Sequence, residues 1–160
     1  MKNTLSAAFR LFLAIVICSF ALSISASSQE SSAVKAGRLL NESGINFTKV
    51  AKDVWTVPFE GKNLRSFQVL IGVDKDVLVM FVIVTDKKKY TRSPELLNKL
   101  LSQNDQMDRV KIGIDKQGEI AVRIDLTVRL MDKRELSENL DQVAAASDEI
   151  FAIIQPYLVK

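Results

Sequence analysis

The sequence predicts an α+β domain in which an antiparallel β-sheet is packed by helices, in the order α-β-β-β(-β)-α-β-β-α. Three observations predict it. Four extended segments lie between positions 46 and 85, with apolar residues alternating at 66–73 and continuous at 77–85, and two more segments that alternate with a period of two lie between 109 and 130. Within each group the segments are joined by short polar turns, which suit antiparallel pairing because parallel neighbours need a long crossover. The period changes to that of a helix at 32–43, 93–104 and 132–158.

After a polar stretch at 27–31, expected to be flexible, residues 32–43 (SAVKAGRLLNES) read as a short helix. Val34, Leu39 and Leu40 are directed to a core, Ser32 is the expected cap, and Gly44 is the stop. Gly37 weakens a helix by about 1 kcal/mol relative to alanine, so it marks a close approach to another element. Strands follow at 46–50 and 54–59, on either side of a turn at Ala51-Lys52-Asp53. Pro58 has no N–H to give to a ladder and suits an edge or a strand end. The turn 61–63 leads into 66–73, where Phe67, Val69, Ile71 and Val73 alternate with Gln68, Leu70 and Gly72. Beyond the turn Asp74-Lys75-Asp76, residues 77–85 (VLVMFVIVT) are apolar on both faces. That pattern predicts a central strand covered on two sides.

Ser93-Pro94-Glu95 opens the second helix, a hydroxyl cap followed by proline in the first turn. Leu96, Leu97, Leu100 and Leu101 form its apolar stripe, and it is expected to end near Asn104. Residues 109–115 alternate again, 116–118 make a hairpin turn, and 120–130 form the most regular strand of the chain. In that strand Ile120, Val122, Ile124, Leu126, Val128 and Leu130 face one way, while Ala121, Arg123, Asp125, Thr127 and Arg129 face the other. Asp132 with Glu135 three residues on is the signature of a capped helix start. Leu136, Leu140, Val143, Ser147, Ile150, Ile154 and Tyr157 then line one face of a long helix, and Pro156 tightens its last turn.

The first 26 residues are expected to be a signal peptide. Lys2 and Arg10 supply positive charge, residues 11–22 (LFLAIVICSFAL) an uncharged apolar run, and residues 23–28 (SISASS) small side chains for cleavage. The run is short of the roughly 20 residues a membrane-crossing helix needs, so no stable membrane anchor is expected after cleavage. The domain organisation read from the sequence is therefore leader 1–26, flexible segment 27–31 and domain 32–160, in a protein that is exported, either periplasmic or secreted. Cys18 lies in the leader and is the chain's one cysteine, so the mature domain can form no disulfide.

The chain of 160 residues carries a formal charge of +3. Both Lys2 and Arg10 leave with an acid-free leader, which brings the charge down to about +1. A nucleic-acid binder needs a basic footprint, and none is expected here. Lys87-Lys88-Lys89 is the one dense cationic run and reads as a solvated loop. There is no histidine, which removes the commonest general base and the commonest metal ligand. Ser32 and Lys35 have the S-x-x-K spacing of serine acyl-enzymes without the further motifs those enzymes need. Asp74 and Asp76 have the spacing of calcium ligands without the rest of the loop. No catalytic residue, cofactor or metal site is expected.

The order of elements resembles the type III secretion chaperone-like fold and, within it, the bacterial YbjN family. The resemblance is carried by residues 110–115 (VKIGID), the turn 116–119 (KQGE), the strand continuing to Leu130 and the closing helix at 132–158. It implies an antiparallel sheet packed by helices, often dimeric, that offers apolar surface to another polypeptide. Leu78, Met80, Val82 and Val84, opposite Val77, Val79, Phe81 and Ile83, are the candidate partner or dimer surface unless a helix covers them. The expected function is an exported, non-enzymatic binding or chaperone-like module. It would engage a protein or peptide, with a homodimer as a further candidate assembly. The alternative is a secreted carrier of a lipid or other apolar small molecule.

Overall fold

The computed structural model describes residues 30–159. The leader expected at 1–26 lies outside the described residues. The first helix, α1 (Ser32–Ser43), ends at Gly44, whose φ of 72° is the left-handed conformation glycine adopts without penalty. Its cap is Ser31, whose Oγ accepts from Val34 N–H, rather than the expected Ser32. Ala36, Leu39 and Leu40 are buried, whereas Val34 is 60 % exposed. Two residues from Ala36 is about 200° around a helix, so the two side chains point to opposite sides. The close approach expected at Gly37 is present: a Cβ there would stand 3.4 Å from Cζ2 of Trp55.

Six strands follow the helix into one antiparallel sheet: β1 (Thr48–Ala51), β2 (Val54–Phe59), β3 (Phe67–Asp74), β4 (Val77–Thr85), β5 (Lys111–Ile114) and β6 (Ile120–Thr127). The spatial order is β1-β2-β3-β4-β6-β5. The tight turns before β2 and β4 each use one residue with positive φ, Asp53 and Lys75. Pro58 sits in an internal strand and still costs no ladder bond to β1, because β1 reaches only as far as Thr56. From β4 the chain passes through a short 3-10 turn (Lys87–Lys89) into α2 (Pro94–Gln106), then forms the edge strand β5 and returns as β6 between β5 and β4. Ser93 caps α2 by accepting from Leu96 N–H.

The regular strand expected to reach Leu130 stops at Thr127. Residues Val128–Leu130 make a 3-10 turn, Val128 N–H donates to Asp76 O at 2.9 Å, and Val128 is buried while Leu130 is 71 % exposed. Alternation fails there because the chain must leave the sheet plane to start α3 (Lys133–Ile154). Asp132 caps α3 through Oδ1, which accepts from Glu135 N–H at 2.8 Å. Leu136, Leu140, Val143, Ile150 and Ile154 are fully buried, each worth about 1.5–3 kcal/mol relative to exposure. Pro156 lies in a closing 3-10 turn (Gln155–Tyr157).

All three helices cover the same side of the sheet. Gly37 of α1 lies against Trp55, and α2 packs on β5 and α3. α3 crosses β3, β4 and β6. The sheet side beneath them carries Trp55, Ile71, Met80, Ile124 and Ile112, which are all buried.

Two polar anchors hold this layer. Asp148 of α3 accepts from the backbone N–H groups of Asn63 and Leu64, each at 2.7 Å, and from the Asn63 amide at 3.0 Å. Burial alone would push its carboxyl up; the donors from Leu64 and Asn63 outweigh that and hold it below the ordinary carboxylate value. Gly61 is required at this loop, since a Cβ would stand 2.7 Å from Cγ of Asp148 and 2.9 Å from the Leu64 carbonyl. At the other end, Thr91 N–H donates to Tyr157 O and Val159 N–H to Lys89 O, so the C-terminal residues pair with the segment before α2. The Tyr90 hydroxyl donates to Gly118 O and ties the same segment to the β5–β6 hairpin.

Candidate binding face

The partner surface expected at Leu78, Met80, Val82 and Val84 is not a surface. These side chains are 0, 0, 1 and 5 % exposed, and they form the floor on which α3 lies. The helices satisfy this face completely, so a partner or dimer would have to unpack the core to reach it. The opposite face of β4 is the one left open. Val77 and Ile83 are 41 % and 47 % exposed, and Val79 and Phe81 between them are half-buried. The strand expected to be covered on two sides is covered by helices on one.

Register places the neighbours of this apolar row. Leu70 of β3 stands beside Phe81, and Gly72, with no atom within 4 Å of where its Cβ would be, stands beside Val79. On the other flank Ala121 adjoins Ile83, Arg123 adjoins Phe81 and Asp125 adjoins Val79. The row is thus walled on one side by charge. The Asp125 carboxylate accepts from Arg123 Nε at 2.6 Å and from Lys111 Nζ at 3.3 Å. Partial burial tends to raise the Asp125 carboxyl, but the Arg123 and Lys111 donors prevail and hold it below its ordinary value. The face therefore combines a greasy strip one strand wide with an ordered ionic border of both signs. It offers apolar contact beside fixed charge.

The other residues singled out from spacing do not converge. The Ser32 hydroxyl donates to Asp76 Oδ1 at 2.7 Å, whereas the Lys35 ammonium donates to the Arg129 carbonyl at 2.8 Å, so the S-x-x-K pair serves two separate structural bonds. Asp76 is used by Ser32, and Asp74 closes β3 against Val77. Lys87, Lys88 and Lys89 form an exposed turn capped by Asp86, whose carboxylate accepts from Lys88 N–H at 2.7 Å. Among the described residues, no group of three or more Cys, His, Asp or Glu side chains is placed to hold a metal ion.

Sequence reasoning missed a surface network between α2 and the C-terminus. The Tyr157 hydroxyl donates to Glu95 at 2.8 Å and accepts from Lys99 at 3.0 Å, and Lys99 also pairs with Glu95 at 2.9 Å. The Tyr157 hydroxyl, with Glu95, pushes the Lys99 ammonium up to about 12. The i,i+4 spacing of Glu95 and Lys99 was readable, but the tyrosine 58 residues later was not.

No curated protein matches. Among solved structures the chain is similar to a chain of the heterodimeric ExoU–SpcU complex of the type III secretion system of Pseudomonas aeruginosa. That likeness has a TM-score of 0.54 and 12 % identity, covering 74 % of this chain and 97 % of that one. It is likewise similar to YbjN of E. coli, with a TM-score of 0.54 and 14 % identity over 78 % of this chain and 92 % of that one. The Yersinia pestis secretion chaperone SycH, solved with a fragment of YscM2, aligns with a TM-score of 0.47 at 12 % identity, over 77 % and 99 % of the two chains. The fold is the type III secretion chaperone-like α+β fold. The family model described as "Putative bacterial sensory transduction regulator" matches residues 38–156, nearly the whole described domain. The chain belongs to the YbjN family.

Proposed function

We propose that this chain is an exported, non-enzymatic binding module of chaperone type that receives a protein or peptide on the open face of its sheet. The observation that carries the reading is the row Val77, Val79, Phe81 and Ile83. It is an apolar strip on a central strand, flanked by Leu70 and bordered by Lys111, Asp125 and Arg123, with the helices on the other side. Apolar side chains left half-exposed beside ordered charges suit recognition of another polypeptide, where burial supplies affinity and the charges set orientation. The shared fold supports the same reading, since a structure of this fold was solved as one half of a protein heterodimer. Export rests on the composition of the leader, a charged start, a short apolar run and small residues after it.

The test is covalent capture in the cell envelope. A photo-crosslinking side chain is placed at Ile83 in the full chain, and products are compared with and without Phe81→Asp. The reading expects one discrete polypeptide adduct that Phe81→Asp abolishes while the variant keeps its melting temperature. It fails if position 83 gives no adduct, or if native mass spectrometry finds an apolar small molecule there in stoichiometric amount. An adduct with a second copy of the chain would make the face a homodimer interface instead. Fractionation with and without residues 1–26 tests export: retention of the full-length chain in the cytoplasm would refute that part.

A further inference from the structure

The two edges of the sheet are treated differently by the rest of the chain. β1 leaves all four of its residues exposed. β5 runs beside α2, and Asn104 in the last turn of α2 lays its amide on that edge. Its Oδ1 accepts from Ile112 N–H at 2.7 Å, and its Nδ2 donates to Ile112 O at 3.0 Å. These are the groups that would otherwise point to an added strand. Asp115 N–H bonds to Glu119 O at 3.0 Å, so positions 115, 113 and 111 turn their backbone groups to β6 and positions 112 and 114 turn theirs away. An amide presents one acceptor and one donor, the same pair a neighbouring strand presents to a residue of its partner. Asn104 thus imitates one residue of a seventh strand.

The setting explains why such a guard is needed. Leu97, Leu100, Leu101 and Ile114 line a cleft of about 180 Å³ beside this edge, and Leu101 is 66 % exposed. An unpaired strand edge next to apolar side chains is a template for association. An antiparallel strand pair has two-fold symmetry, so the β5 edge is complementary to itself in a second copy. We propose that Asn104 is an edge guard: it occupies the hydrogen-bonding groups of Ile112 and so closes β5 to pairing with another copy of this chain. Association through the open sheet face is unaffected by it, and the two can be separated because the guard is tested on the purified chain without any partner.

The experiment measures mass by light scattering across protein concentration for the wild type, Asn104→Ala and Asn104→Ala with Gly113→Lys. The wild type is expected to hold one mass, and Asn104→Ala to rise about twofold or more at high concentration. In a pair centred on Ile112, position 113 lies opposite Lys111 of the second copy, so lysine there repels it. A side chain at Gly113 points into open space, which lets Gly113→Lys restore the wild-type mass without disturbing the fold. An Asn104→Ala chain that keeps the wild-type mass overturns the proposal, as does association that Gly113→Lys leaves unchanged. If Asn104→Ala does not fold, hydrogen exchange on the wild-type chain decides. The guard requires the Ile112 amide to exchange about tenfold or more slower than the outward amide of Ile114. Equal rates overturn it.

Discussion

The two faces of β4 are both wholly apolar over residues 77–84 and have opposite fates. Leu78, Met80, Val82 and Val84 are buried beneath α3, while Val77, Val79, Phe81 and Ile83 stand open or half-open on the other side. Side-chain hydrophobicity does not separate them. What separates them is that α1, α2 and α3 all cross to one side, so one face is satisfied within the chain and the other is left to whatever the chain meets. A strand that is apolar on both faces therefore says that two covers are needed, and says nothing of whether both are intramolecular.

This comparison can be broken most sharply from the covered side. Leu78→Ala empties a fully buried site under α3 and is expected to destabilise the domain by about 2–5 kcal/mol, measured by urea unfolding. A loss no larger than that of an open-face substitution would mean that the two faces are energetically alike. The anchors of the helical layer come next. Asp148→Ala leaves the Asn63 and Leu64 N–H groups without their acceptor and is expected to lose about 1–3 kcal/mol.

That contribution depends on pH with a definite sign. The folded Asp148 carboxyl is held below its unfolded value of about 3.9, so its stabilisation is complete above that value and is lost as pH falls through the lower folded value. An acid titration of Asp148→Asn should be flatter than the wild type in that window, and coincident curves would rule the anchor out. Gly61→Ala attacks the same loop by crowding both the Asp148 carboxylate and the Leu64 carbonyl, with an expected loss of about 1–3 kcal/mol. Its effect should shrink, though not vanish, in a chain that also carries Asp148→Ala, because only one of the two clashes is removed. The smallest effect belongs to the open face. Ile83→Thr should change stability by no more than about 0.5 kcal/mol while reducing capture of the partner. A large loss of stability would show that the face is covered within the chain after all.

Much of the molecule was legible because its signals are local. The alternation at 66–73 follows from the two-residue side-chain period of a strand, and the hydroxyl cap with proline at 93–94 and the Asp132–Glu135 start of α3 follow from hydrogen bonding within three residues. The misplaced apolar residues share one cause. Val34, Leu101 and Leu130 are as apolar as their buried neighbours, yet they point away from the core because of where their elements dock. Asp148 and Asn104 illustrate the same limit from the polar side. Asp148 is an ordinary acid on a helix until the loop 84 residues earlier turns its N–H groups toward it. Asn104 looks like the frayed end of a helix until β5 is laid beside it.

The elements, their antiparallel connection and the lack of histidine are written locally in the chain, since period, turn chemistry and composition are properties of short stretches and of residue identity. Tertiary structure alone decided which side of the sheet became the interior, where the edge is guarded and which apolar row was left facing outward. Those outcomes depend on the direction in which three helices cross the sheet, and that direction is set by packing summed over the whole domain rather than by any one segment.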